Sequence, residues 1–237
     1  MMEMNKTLLG SSQPYKPPVV WRSHHDRVRS KWRSRFVLTN LIYIAAIASL
    51  VLLFAHAEKR VQSAFSQKEE FEDLKKREAI YSLLKSKGIS LNQGLNLAAA
   101  IVKQSKELDI PVSMILAVMK KESMFDPRAV SSRNALGLMQ VRPVTWKQYA
   151  AKLRLDVSTH AAFDPATNVI VATHIIGDLR DSYKKTARSE SDLWESVLSA
   201  YYAGRASIAQ NGINSSHRRY VADVHLFKSE FDRTFAQ

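Results

Sequence analysis

The sequence predicts a mainly α-helical protein: a single N-terminal transmembrane helix, a helical stalk, and a helical domain that takes up the rest of the chain. Three observations carry this. Residues 36–57 are a run of 22 apolar or uncharged residues with no Asp, Glu, Lys or Arg. Residues 58–90 are rich in charge, have no Gly or Pro before Gly88, and space their few apolar side chains as a helix does. From 91 to 237, apolar residues recur every three or four positions and few runs alternate at period two.

Composition narrows the class. With 237 residues, 46% of them hydrophobic, and only seven Gly and seven Pro, the chain is neither disordered nor collagenous and can bury a core. Zero cysteines exclude disulfides, thiol catalysis and cysteine-based metal sites. None of the seven histidines forms an H-x-x-x-H pair, so no metal or cofactor is expected.

Residues 1–35 form a basic tail, with eight Lys/Arg against Glu3 and Asp26, out of a formal net charge of +13. The apolar run 36–57 follows directly. As a helix it is ~33 Å long, enough to cross a hydrocarbon core of ~30 Å. Basic residues before the span place the N-terminus in the cytoplasm and the domain on the far side of the membrane. Two other readings exist for this run: a buried core helix, and a signal peptide cleaved after Ala57, since Ala55-His56-Ala57 fits a small-x-small site. The length of the run and of the segment before it favours an uncleaved single-pass anchor. The tail is short and unpatterned beside a membrane, so its charges are expected to meet anionic headgroups, not nucleic acid.

In the stalk, 58–90, Val61, Phe65, Leu74, Ile80, Leu83 and Leu84 are loosely helix-spaced, and Lys87-Gly88 is a helix stop. No heptad is sustained, so a solvated helix is expected before a coiled coil. In the domain, 91–237, one helix runs from Leu95 to Leu108 and another from Val112 to Ser123 after Pro111. Asp164 and Pro165 open a third as N-cap and first residue, with Phe163 as a staple. A fourth covers Leu193 to Tyr202 and breaks at Gly204.

One carboxylate stands out. Ile115, Val118, Met119 and Glu122 follow the i, i+3, i+4, i+7 pattern, so Glu122 shares an apolar stripe. It also lies in the last turn, where the helix dipole disfavours negative charge. Both effects favour the protonated form, as a general acid requires. The plain alternative is a helix-end glutamate turned to solvent beside Lys120 and Lys121.

The surrounding motifs favour the acid. Glu122-Ser123 is followed by Asp126-Pro127, Ala129-Val130-Ser131 and Gly137-Leu138-Met139-Gln140, with Pro143 and Thr145 beyond. Then come Phe163-Asp164-Pro165-Ala166-Thr167-Asn168, Ala200-Tyr201-Tyr202-Ala203-Gly204 and Tyr220-Val221. This ordered set, over about 91–225, resembles the soluble lytic transglycosylase (SLT) domain, a lysozyme-like family that cleaves bacterial peptidoglycan. The resemblance implies a lysozyme-like α-helical fold and a lyase acting on peptidoglycan glycan strands. Glu122 then matches the family's sole catalytic acid/base, and Ser123 and Ser131 match polar groups beside it. Gln140 matches the glutamine lining the sugar cleft, Tyr201 the tyrosine of A-Y-N-A-G, and Tyr220 the tyrosine of the late E-T-x-x-Y-V segment. Plainer roles exist for the same positions: a tight turn at Gly137, core packing at Met139, and a Tyr201 ring buried away from ligand. Asp126, before Pro127, reads as a turn residue.

The chain also departs from the family pattern. Tyr202 stands where A-Y-N-A-G has asparagine, and Ser216-His217 where E-T is usual. Arg142 takes a position often held by Met, and Asn134 replaces the first Gly of G-A-x-G-L-M-Q. The resemblance implies that Glu122 protonates the oxygen between N-acetylmuramic acid and N-acetylglucosamine. It then takes the proton of the C6 hydroxyl, which closes a 1,6-anhydro ring. The alternatives are a non-catalytic peptidoglycan-binding or envelope-assembly component and a hydrolytic lysozyme. Family members serve wall turnover and division, or open the wall for envelope-spanning secretion, conjugation or phage assembly machinery.

Overall fold

The computed structural model describes residues 19–235. Among the described residues eight α-helices follow one another, with a short 3-10 turn at Ala161–Phe163 between the fourth and fifth: α1 Val19–Ser86, α2 Leu91–Leu108, α3 Val112–Ser123, α4 Pro143–Lys152, α5 Pro165–Tyr183, α6 Glu190–Ala203, α7 Arg205–Asn211 and α8 Ser215–Phe235. Among the described residues there is no strand, only isolated bridges joining Val130 to Leu136 and Leu136 to Val141. The mainly α prediction holds. Residues 1–18 of the basic tail lie outside the described part.

The chain divides into two units, one up to Gln67 and one from Lys68. In the first, α1 holds the apolar run, and its side chains, Phe36, Leu41, Leu52 and Phe54 among them, are exposed. This is the one helix among the described residues long and apolar enough to cross a membrane.

The second unit begins within the segment expected to be a solvated stalk. From Lys68 onward α1 joins the domain. Ile80 and Leu84 are fully buried, and Glu69 and Asp73 pair with Lys106 of α2 at 2.7 and 2.6 Å. The apolar spacing read as loose is therefore a packed face. The stop at Lys87-Gly88 forms as expected, with Gly88 at φ +83° and the Lys87, Gly88 and Ile89 N–H groups bonded back to the last turn.

The centre of the domain is α3. Met114, Ile115, Leu116, Ala117, Val118 and Met119 are all fully buried, so the helix is apolar nearly all round and is enclosed by others. Each large side chain of this kind contributes about 1.5–3 kcal/mol on leaving water. Helix α8 packs along α3, α2 lies on α5, and α6 contacts both α5 and α8. Helix α5 starts as the sequence predicts, with Asp164 Oδ1 accepting from the Thr167 N–H at 2.8 Å and Pro165 in first position.

Candidate active site

Helix α3 presents Glu122 in its last turn, and the chain then leaves the helix abruptly. Met124 and Phe125 both take left-handed conformations, φ 53° and 69°, costly for side chains of this size. A backbone bond holds the first, from the Met124 N–H to the Lys120 carbonyl at 3.1 Å, and packing holds the second, since Phe125 is 2% exposed and edge-on to Phe231 at 6.2 Å.

Glu122 is half-buried, and its Oε1 accepts the Tyr220 hydroxyl hydrogen at 2.5 Å. Burial pushes its carboxyl up to about 7, against the Tyr220 hydrogen bond and the Lys121 charge, which both pull it down. The glutamate does not turn outward beside its lysines. Lys121 is held by Asp223 at 2.6 Å, and Lys120 by Glu230 at 2.5 Å with its ammonium over the Phe227 ring. Asp126 is a turn residue, its Oδ1 accepting the Arg128 N–H at 2.8 Å.

The loop between α3 and α4 is tied to α3 and α5. Ser123 Oγ donates to the Leu138 carbonyl at 2.7 Å, joining the residue after Glu122 to the Gly137–Gln140 segment. Gln140, at φ 52°, donates through Nε2 to the Gly137 and Ala129 carbonyls at 2.9 and 3.1 Å. Ser131 Oγ accepts the Ala135 N–H at 3.0 Å within its own loop, and no contact joins it to Glu122. Asn134 has φ 58°, so the residue replacing a family glycine keeps a left-handed backbone that asparagine tolerates.

The sequence reading gave Asn168 no role, yet it organises this loop. It is fully buried on α5, donates to the Leu136 and Ala162 carbonyls at 3.0 and 2.8 Å, and accepts the Met139 N–H at 2.8 Å. A signal existed: Asn168 sits between Pro165 and Val169, Ala172 and Ile176 on an apolar stripe, as Glu122 does on its own. Gly137 fits against it with φ +75°, and a Cβ there would lie 2.4 Å from the Ala162 carbonyl oxygen. Met139, fully buried, is core packing and also offers its carbonyl to the Tyr201 hydroxyl at 2.7 Å.

Tyr201, Tyr202 and Tyr220 separate two surface clefts. Gln140, Arg142, Tyr201 and Tyr202 help to line one of about 710 Å³. Lys121, Tyr202, Ser216 and Tyr220 help to line the other, of about 340 Å³. Glu122 lines neither and adjoins them through its tyrosine neighbours. Burial, and then the Glu122 charge, pushes the Tyr201 and Tyr220 hydroxyls well above the usual range, so both stay protonated donors. Among the described residues no three His, Asp or Glu side chains gather in a way that could hold a metal ion.

The family model described as the transglycosylase SLT domain matches residues 99–222, which include every site residue above. The membrane-bound lytic murein transglycosylase C of Actinobacillus succinogenes is 34% identical over 109 residues, 45% of this chain and 30% of that protein. Its namesake in Yersinia enterocolitica is 34% identical over 128 residues, 52% and 35% of the two chains. The chain therefore spans about a third of the length of the curated relatives it matches. An inactive mutant of the lytic transglycosylase Slt from Pseudomonas aeruginosa has the same fold, with a TM-score of 0.50 at 21% identity over 58% of this chain and 24% of that one. The chain belongs to the transglycosylase SLT domain family.

Proposed function

We propose that this protein is a membrane-anchored peptidoglycan lytic transglycosylase with Glu122 as its single general acid/base. The observation that carries the reading is the Glu122 carboxyl itself: half-buried, raised to about 7, and hydrogen-bonded by Tyr220 at 2.5 Å. Near neutral pH such a group is poised to give a proton and then take one. The acids closest in sequence or on α8 are otherwise engaged, Asp126 in its turn and Asp223 and Glu230 with lysines. A one-carboxylate mechanism suits this inventory better than the two-carboxylate scheme of most glycosidases.

In the first step protonated Glu122 gives its proton to the oxygen bridging N-acetylmuramic acid and N-acetylglucosamine. The bond to C1 breaks, and the substrate's own acetamido group shields the developing positive charge. In the second step the Glu122 carboxylate removes the C6 hydroxyl proton and that oxygen bonds to C1, giving the 1,6-anhydro product. Glu122 ends as it began, and no water is consumed. Tyr220 supports the ionised state between the steps, because its hydrogen bond favours the carboxylate. Ser123, Gln140 and Tyr201 fix the loop and cleft around it, and Gln140 and Tyr201 meet the glycan together with Tyr220. Ser131 joins them only if substrate draws its loop inward.

The helix over 36–57 anchors the chain in the inner membrane, with 1–35 in the cytoplasm and 91–237 carrying out the cleavage outside. Residues 58–67 connect the anchor to the part of α1 that packs in the domain. Purified sacculi incubated with the full chain in detergent should release soluble muropeptides. Sacculi left intact by folded protein would make it a glycan-binding envelope component instead.

A further inference from the structure

Two departures from the family pattern, one on α6 and one on α8, meet in the structure. Tyr202 stands where the family has asparagine, and its ring lies edge-on to His217, which stands where the family has threonine, at 6.0 Å and 70°. The other neighbour of Tyr202 is Tyr220, stacked at 4.7 Å and 24°. His217 is 6% exposed and fixed in place, its Nδ1 accepting the Asn214 N–H at 3.1 Å. Tyr220 is 3% exposed and fixed by Glu122. Two immobile rings thus hold a third.

Tyr202 itself is 46% exposed, although its neighbours are buried, and it is the residue common to both clefts. A buried prop for Tyr220 has no need of that exposure. Asparagine at this position would offer an amide. Tyrosine offers a flat apolar surface at a fixed angle, rigid before ligand arrives and so bound at little entropic cost. The chemistry that matches it is the apolar C–H face of a pyranose ring.

We propose that Tyr202 is a substrate-contacting, specificity-determining residue that stacks on an N-acetylhexosamine ring where the glycan strand passes between the clefts. The Tyr202–His217 and Tyr202–Tyr220 contacts make an aromatic platform at this point. The substrate class rests on the function proposed above, but binding can be measured without cleavage, so the two readings fail separately.

The test is titration calorimetry of the full chain in detergent with chitotetraose, the β-1,4-linked N-acetylglucosamine tetramer. Tyr202→Phe should bind within about twofold of wild type, because the ring face remains, whereas Tyr202→Ala and Tyr202→Asn should bind about five- to tenfold more weakly, as for one lost stacking contact. On sacculi the same two variants should raise KM with kcat nearly unchanged. Equal binding by a folded Tyr202→Ala protein would overturn the proposal. So would loss of binding in Tyr202→Phe, or a fall in kcat alone, the signature of a prop for Tyr220. If wild type binds chitotetraose in this pattern but never cuts sacculi, the platform stands and the lytic reading falls.

Discussion

Tyr220 and Glu122, 98 residues apart, share a hydrogen bond of 2.5 Å that joins the last turn of α3 to α8. The bond connects the two strongest influences on the site. Burial raises the carboxyl, and the tyrosine hydroxyl restrains the rise. Each influence has its own experimental consequence.

Removing the hydroxyl should move Glu122 further up. In Tyr220→Phe the desolvation stays while the hydrogen bond favouring the carboxylate is lost. The alkaline limb of the activity–pH profile should therefore shift to higher pH, with turnover reduced because the ionised state of the second step is less well held. A rate profile across pH 5–9 on sacculi checks this. An alkaline limb that stays put or moves down would contradict it.

Stability should carry the mark of the same group. The Glu122 carboxyl is near 4.5 in the unfolded chain and about 7 in the folded one, so between those values the folded state holds the extra proton. Stability attributable to this group is therefore lost as pH rises through that window. Glu122→Gln, which can still accept from Tyr220, should match wild type below the window and be more stable above it by about 2 kcal/mol, after discounting for partial exposure. Urea unfolding at acid and alkaline pH reads the difference. Equal stability of the two proteins at pH 8 would contradict the raised carboxyl.

Asn168 predicts a failure of a different kind. Asn168→Ala strips the buried Ala162 carbonyl and Met139 N–H of their partner and leaves the Leu136 carbonyl with the Val141 N–H alone. The cost should be about 3 kcal/mol or more, since each buried group left unpaired costs about 1–3 kcal/mol. Gly137→Ala should be as severe, because its Cβ meets backbone and φ is +75°. Thermal melts measure both. Changes within a degree or two of wild type would show that this loop is not held as described.

The sequence made the helices legible where their periodicity and caps were strong, as for α3, and for α5 with Asp164 and Pro165. It also made Glu122 legible, because a carboxylate on an apolar stripe at a helix end conflicts with its surroundings and so marks itself. Residues 68–86 were less legible. Ile80 and Leu84 are few among many charges, and only the packed structure shows the face they form. Asn168 escaped notice because its value lies in three backbone partners on other segments, which no local pattern encodes. The Tyr202–His217 contact escaped for the same reason: each departure was visible alone, and their meeting depends on how α6 and α8 cross.

Topology gives a further expectation. With the anchor at 36–57, protease added to spheroplasts should digest the domain and leave a small membrane-embedded N-terminal fragment. A protected domain would contradict the orientation, and a mature N-terminus at Glu58 would show cleavage after Ala57.

The most direct test is mass spectrometry of the muropeptides released from purified sacculi by wild type and by Glu122→Gln. Wild type should release 1,6-anhydro products, one water lighter than those a lysozyme gives. Glu122→Gln should release them about 10²–10⁴-fold more slowly, or not detectably, the usual worth of general acid–base catalysis. Reducing-end muramic acid from wild type, or near-normal release by a folded Glu122→Gln protein, would contradict the account.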